Sequence, residues 1–216
     1  EANIVVEKLV LPKEYRSLKV PNKNDIDTIK VLKYLKSRAI DQEIIKNNNI
    51  GFCKNGKYGG RVIIPSFDKR GELNYFISRS YVNHKMKYMN PITSKENIIF
   101  NEDKIDWDKN VFLVEGVFDS LFIPNSIPML GKVMGDKLWE KIYKKLTKKI
   151  FIVLDSDAWD DAVKLYKKLD GGRLKEKVFI TKIPNNTDVA DIVKNSGLNE
   201  LKKILLSSGR LKESTL

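Results

Sequence analysis

The chain has 216 residues, 42% hydrophobic and 31% charged, which suits one or two globular domains with a real core. A single cysteine, Cys53, and a single histidine, His84, exclude an intrachain disulfide and a four-ligand Cys/His zinc site, and no run approaches the ~20 apolar residues that span a bilayer. Lys and Arg number 40 against 28 Asp and Glu, so the net charge of +12 favours a polyanionic partner, either nucleic acid or an anionic membrane surface.

The first residues, EANIVVEKLVLPKEY, lack the basic and apolar regions of a secretory signal, and the missing initiator Met points to a fragment or a processed chain. A reducing cytoplasm is the expected setting. Cys53 is expected to be a small buried residue and His84 a loop residue. With so few soft ligands, any metal has to be held by carboxylates, which selects hard cations such as Mg²⁺ or Mn²⁺.

In chain order, residues 1–24 read as extended or loop, with Pro12 and Pro21 as breakers. Residues 25–36 predict a helix capped by Asp25, with Ile29, Leu32 and Leu35 on one stripe, and a short helix follows over 41–46. GGRVIIPSFD, ELNYFISRSY and KYMNP read as strands or strand ends, the first two joined by a hairpin turn at DKRG, 68–71. From residue 111 the texture becomes α/β. VFLVE (111–115), IFIVLD (150–155) and KVFITKI (177–183) are apolar runs suited to buried parallel strands. Amphipathic helices lie between them at 136–146 and 158–169, and a weaker one runs over 198–206. The expected fold is thus a parallel sheet flanked by helices, preceded by a mixed α+β part. Its expected divisions are 1–109, 110–195 and a short helical tail over 196–216.

Two of the apolar runs end in acids: Glu115, followed by Gly116, and Asp155, followed by Ser156 and Asp157. Asp188 and Asp191 follow the third. Ligands of open parallel sheets bind at the carboxyl edge of the strands, so these acids are expected around one crevice. Crowded carboxylates repel one another unless divalent cations neutralise them, and two ions about 3.5–4 Å apart would serve an in-line phosphoryl displacement. The aromatics Tyr75, Phe76, Tyr81 and Tyr88 are read as sheet packing ahead of base stacking. Lys144, Lys145, Lys148 and Lys149 are read as a solvated helix end.

VEGVFDSL (114–121) followed by VLDSDAWDDA (153–162) resembles the Toprim signature of DnaG-type primases, topoisomerases and some nucleases. The upstream segments GGRVIIPSFDKRGELNYFISRSY, KYMNP and IIFN, together with MLGKVMG and TDVADIV, resemble the polymerase core of bacterial and phage DnaG-type primases, over roughly residues 11–195. The lead-in YLKSRAIDQEIIKNNNIGFC is closer to the phage versions. The resemblance implies a Toprim domain and a primase that makes short RNA primers on a single-stranded DNA template from ribonucleoside triphosphates. It implies Glu115, Asp155 and Asp157 as principal metal ligands, with Glu115 as a general base in the alternative, and Asp119, Asp188 and Asp191 as supporting acids. Arg61, Arg79 and Lys87 would meet template or nucleotide phosphates, and Asn90 and Lys132 would neighbour the nucleotide or metal. A replicative helicase and a separate zinc-binding domain are the implied partners, with no membrane. The rivals are a Toprim nuclease using the same acids and a non-catalytic nucleic-acid-binding replisome module. Ser156 and Trp159 depart from the family, which often has Gly between the two aspartates and small residues after them; Trp159 is read as packing.

Overall fold

A computed structural model describes residues 8–93, 98–131, 134–146 and 148–211. Two four-stranded sheets organise them. The first is antiparallel, in the order β1 (Tyr15–Ser17), β2 (Gly51–Cys53), β3 (Arg61–Phe67), β4 (Leu73–Ser80). The second is parallel. In chain order its strands are β5 (Val111–Val114), β6 (Ser126–Pro128), β7 (Ile150–Leu154) and β8 (Val178–Lys182), and in space they run β6-β5-β7-β8.

The two lead-in helices are α1 (Ile26–Ser37) and α2 (Gln42–Asn47). Each starts at an aspartate whose carboxylate accepts an N–H three residues on: Asp25 from Thr28 at 2.9 Å and Asp41 from Ile44 at 2.8 Å. The buried face of α1 is Thr28, Val31 and Leu35, while Ile29 is 50% exposed, so the expected stripe is rotated by one position. Two β-branched residues, Ile29 and Val31, compete for the interior here, and packing chooses Val31.

The β3–β4 hairpin turns at Gly71, whose φ of +77° suits a residue without Cβ. Asp68 Oδ1 accepts the N–H groups of Arg70 and Glu72, which fixes the turn. Pro65 is tolerated inside β3 because pairing with β2 covers only Arg61–Ile63, so the missing N–H leaves no partner waiting. The expected strand at KYMNP is reduced to a single bridge between Arg79 and Tyr88.

The helices of the second half are α3 (Val117–Ser120), α4 (Asp136–Lys145), α5 (Trp159–Leu169) and α6 (Val189–Leu206). Gly197, at φ +82°, kinks α6, so the acidic turn and the weak final helix of the sequence become one interrupted element. After α6, Gly209 exchanges two backbone hydrogen bonds with Ile180 and closes the β8 edge.

One apolar cluster joins the two sheets. It contains Phe52, Val62 and Tyr75 from the antiparallel sheet with Val114, Phe118, Val153 and Ile183 from the parallel half. Val114 and Val153 lie at the carboxyl ends of their strands. The edge expected to carry chemistry is therefore packed toward the antiparallel sheet. Cys53 is buried, and His84 lies in the loop after β4. Among the described residues, no helix is long and apolar enough to cross a membrane.

Candidate active site

Each acid stands where a strand stops. Glu115 follows β5, and Asp155 and Asp157 follow β7 on a short 3₁₀ turn that leads into α5. These three carboxylates can each present an oxygen such that all lie within 4.8 Å of one another. Glu115 and Asp157 are exposed and Asp155 is half-buried.

Asp119 lies beneath them, 9% exposed, and accepts the Gly116 N–H at 3.0 Å. This closes the turn that sets Glu115. Gly116 suits it sterically, since a Cβ there would sit 3.1 Å from the Asp119 carboxylate. Burial raises Asp119 to about 6; the charges of Asp188 and Glu115 add to this, while the Gly116 N–H and Arg38 oppose it. Asp155 is raised to about 7, first by burial and then by Asp119, Glu115, Asp188 and Asp157. Asp188 caps α6 by accepting the Asp191 N–H at 2.7 Å. Asp191 lies outside the three-acid group and is not among the largest charges acting on Asp155 or Asp119.

The donor set fits hard divalent cations. It is made of oxygen only, and its central carboxyl carries the repulsion of four other carboxylates.

The basic residues divide in two. Arg61 is 2% exposed, and its guanidinium donates to the backbone carbonyls of Met86 (2.7 Å) and Lys87 (3.1 Å), with His84 Nδ1 at 3.5 Å. It holds the 84–87 segment in place, so that the Lys87 side chain is exposed. Arg79 is half-buried; it hydrogen-bonds the Tyr88 hydroxyl, and its guanidinium lies 4.9 Å from the Tyr88 ring centroid and 5.1 Å from that of Phe118. Asn90 Oδ1 accepts the Ser78 N–H at 3.1 Å. Lys132 lies outside the described residues.

Arg38 is a residue that the sequence reading did not single out. Its guanidinium stands 4.9 Å from the Phe118 centroid, so two arginines share that ring. Its Nε is buried without a hydrogen-bond partner, and its charge acts on Asp119. Arg38 ends α1, and the next residue, Ala39, takes φ +60° so that Ile40 can donate back to the Leu35 carbonyl. A non-glycine in that conformation costs about 1 kcal/mol. A basic residue at a helix end where the chain bends through positive φ is a faint signal, and on sequence alone it looks like a solvated cap.

A cleft of about 270 Å³ opens beside the acids, between the two sheets. Tyr75, Tyr88, Asn90, Glu115, Gly116 and Gly131 contribute to its walls. Of the four aromatics, Tyr75 and Phe76 are buried in the sheet, Tyr81 is half-buried and Tyr88 is 42% exposed.

No protein-family model and no curated protein matches the sequence. Solved structures do match the fold. The zinc-binding and RNA polymerase domains of the Aquifex aeolicus primase align with a TM-score of 0.71 at 25% identity, over 86% of this chain and 57% of that one. The E. coli primase catalytic core gives 0.70 at 19% identity, over 86% and 75%. A DnaG primase catalytic domain bound to single-stranded DNA gives 0.70 at 19% identity, over 85% and 73%. The chain has the fold of a DnaG primase catalytic core, with its parallel sheet as the Toprim unit.

Proposed function

We propose that this chain is the RNA polymerase core of a DNA primase, which joins ribonucleotides into short primers on single-stranded DNA. The observation that carries the reading is the convergence of Glu115, Asp155 and Asp157 within 4.8 Å, on a fold shared with primase cores. In the reaction the 3′-hydroxyl oxygen of one nucleotide bonds to the α-phosphorus of the next. The α–β phosphoanhydride bond breaks, pyrophosphate leaves, and the hydroxyl proton is released.

Glu115, Asp155 and Asp157 would hold Mg²⁺ or Mn²⁺, with Asp119, Asp188 and Asp191 as supporting acids. Such ions, when bound, supply Lewis acidity to the attacking hydroxyl and the leaving phosphate. Asp119 fixes Gly116, and through it the position of Glu115. Arg79, Arg38 and Lys87 contact phosphates of template or nucleotide, which sets register without reading sequence. Arg61 acts through the 84–87 segment that it holds. Asn90 lines the cleft where a nucleotide would lie, and Lys132, outside the described residues, is assigned to nucleotide or metal by the resemblance of the MLGKVMG segment alone. The reading places the chain in the cytoplasm of a bacterium or a phage-infected cell, with a replicative helicase and a zinc-binding domain as further partners.

The test is a primer-synthesis assay on varied single-stranded templates with labelled ribonucleotides and Mg²⁺ or Mn²⁺. Labelled oligoribonucleotides are expected from the parent chain and none from the Glu115→Gln, Asp155→Asn double variant. Shortening of a labelled DNA strand without any synthesis would replace the primase with a nuclease.

A further inference from the structure

A second cleft, of about 210 Å³, adjoins the acids next to Asp155. Its walls come from two loops at the carboxyl edge of the parallel sheet. Asp155, Ser156 and Trp159 follow β7, and Lys182, Ile183 and Asn185 lie at and beyond the end of β8. The Asn186 N–H donates to Ser156 Oγ at 3.1 Å, which ties the two loops together. The cleft is thus a built feature of the edge.

Trp159 opens α5 one helical turn before Ala162, the first residue of that helix's buried stripe. The indole packs against the apolar cluster that contains Leu154 and Ala162, and it also lines the cleft. The Lys182 ammonium lies 6.0 Å from its ring centroid, and the Lys182 side chain is exposed. An aromatic plane, an adjacent cation and an amide at Asn185 offer stacking, charge and hydrogen bonding within one small space. Those are the demands of a nucleotide: a flat base, a phosphate and polar edges.

The placement matters as much as the lining. Glu115 borders the first cleft and Asp155 the second, while the two carboxylates belong to one cluster. In-line transfer brings two nucleotides to one set of acids, held in a fixed relation to each other. From this we infer that Trp159 and Lys182 form a second nucleotide subsite, in which a base stacks on the indole and its phosphate meets the lysine. The subsite rests on the proposed primase reading for its role in synthesis, though not for binding itself. Two sources share this chemistry: a free ribonucleoside triphosphate that supplies the 3′-hydroxyl, and a base of the single-stranded template.

The test uses the full chain carrying Trp107→Phe and Trp139→Phe, so that Trp159 is the remaining tryptophan. Its emission is followed during separate titrations with ATP, with GTP and with an oligothymidylate, each corrected against free tryptophan. Saturable quenching is expected, with affinity about tenfold weaker after Lys182→Ala. Quenching by triphosphates alone assigns the subsite to the free nucleotide, and quenching by the oligonucleotide alone assigns it to template; either supports the proposal. Absence of quenching in all three titrations would overturn it. So would a Trp159→Phe, Lys182→Ala variant of the parent chain, folded by circular dichroism, whose KM and template affinity stay within about twofold of the parent. If quenching saturates while the parent makes no primers, the subsite stands and the primase reading falls. If primers are made normally by that double variant, the reverse holds.

Discussion

The molecule treats charge in opposite ways in its two halves. In the antiparallel sheet Arg61 is buried, and carbonyls of Met86 and Lys87 satisfy it. At the edge of the parallel sheet burial, and after it four neighbouring carboxylates, raise Asp155 to about 7. A satisfied buried charge serves architecture, because removing its partners leaves it costly and removing it leaves orphaned carbonyls. A cluster of like charges is held together by the fold against its own repulsion, an arrangement able to hold a cation.

Substitutions should separate the two halves. The largest effect is expected at the acids. Asp155→Asn should lower primer synthesis by at least about a thousandfold in a labelled-ribonucleotide assay. It should also raise the melting temperature of the metal-free chain at pH 8 by about 3 °C, because a repelling charge is removed. Arg61→Met should do the reverse to stability, costing about 3 kcal/mol in denaturant unfolding, since two carbonyls lose a charged donor. A fall in stability for Asp155→Asn would remove the distinction between the halves.

Titration gives the next effect. The Asp155 carboxyl is protonated below about pH 7 in the metal-free chain, and a bound cation needs it ionised. Mn²⁺ affinity, measured by calorimetry, should therefore fall by up to about tenfold per pH unit below 7 and level off above it. For folding the sign is opposite. The raised pKa of Asp119 means that the folded chain binds more protons than the unfolded one between about pH 4 and 6. That contribution to stability is present at low pH and is lost as pH rises through 6. Smaller effects belong to the basic rim. Arg79→Ala should reduce the salt slope of single-stranded DNA binding by about 1. The smallest is Ala39→Gly, which should stabilise the chain by about 1 kcal/mol by relieving the positive φ beside Arg38.

The sequence revealed the parallel half more fully than the antiparallel half, for physical reasons. Parallel strands are buried on both faces, so VFLV, IFIVL and VFITK stand out as unbroken apolar runs, and the acids after them lie where such a sheet opens. The antiparallel strands Tyr15–Ser17 and Gly51–Cys53 span three residues each and exist through their neighbours, which no local pattern encodes; Ser126–Pro128 is the one strand of the parallel sheet that shares this. The same contrast holds within the site. Glu115, Asp155 and Asp157 were legible because strand ends place them. The burial of Arg61 was not, because a long cationic side chain is exposed by default and only the returning 84–87 segment encloses it. Arg38 was hidden for the opposite reason, because its partner ring, Phe118, is 80 residues away in the chain.

The most direct test of the account is anomalous diffraction from crystals soaked in Mn²⁺. A manganese peak contacted by Glu115, Asp155 and Asp157, and lost in Asp155→Asn, is the predicted result. Glu115 turned away from the two aspartates, with no peak among them in crystals that bind manganese elsewhere, would contradict it.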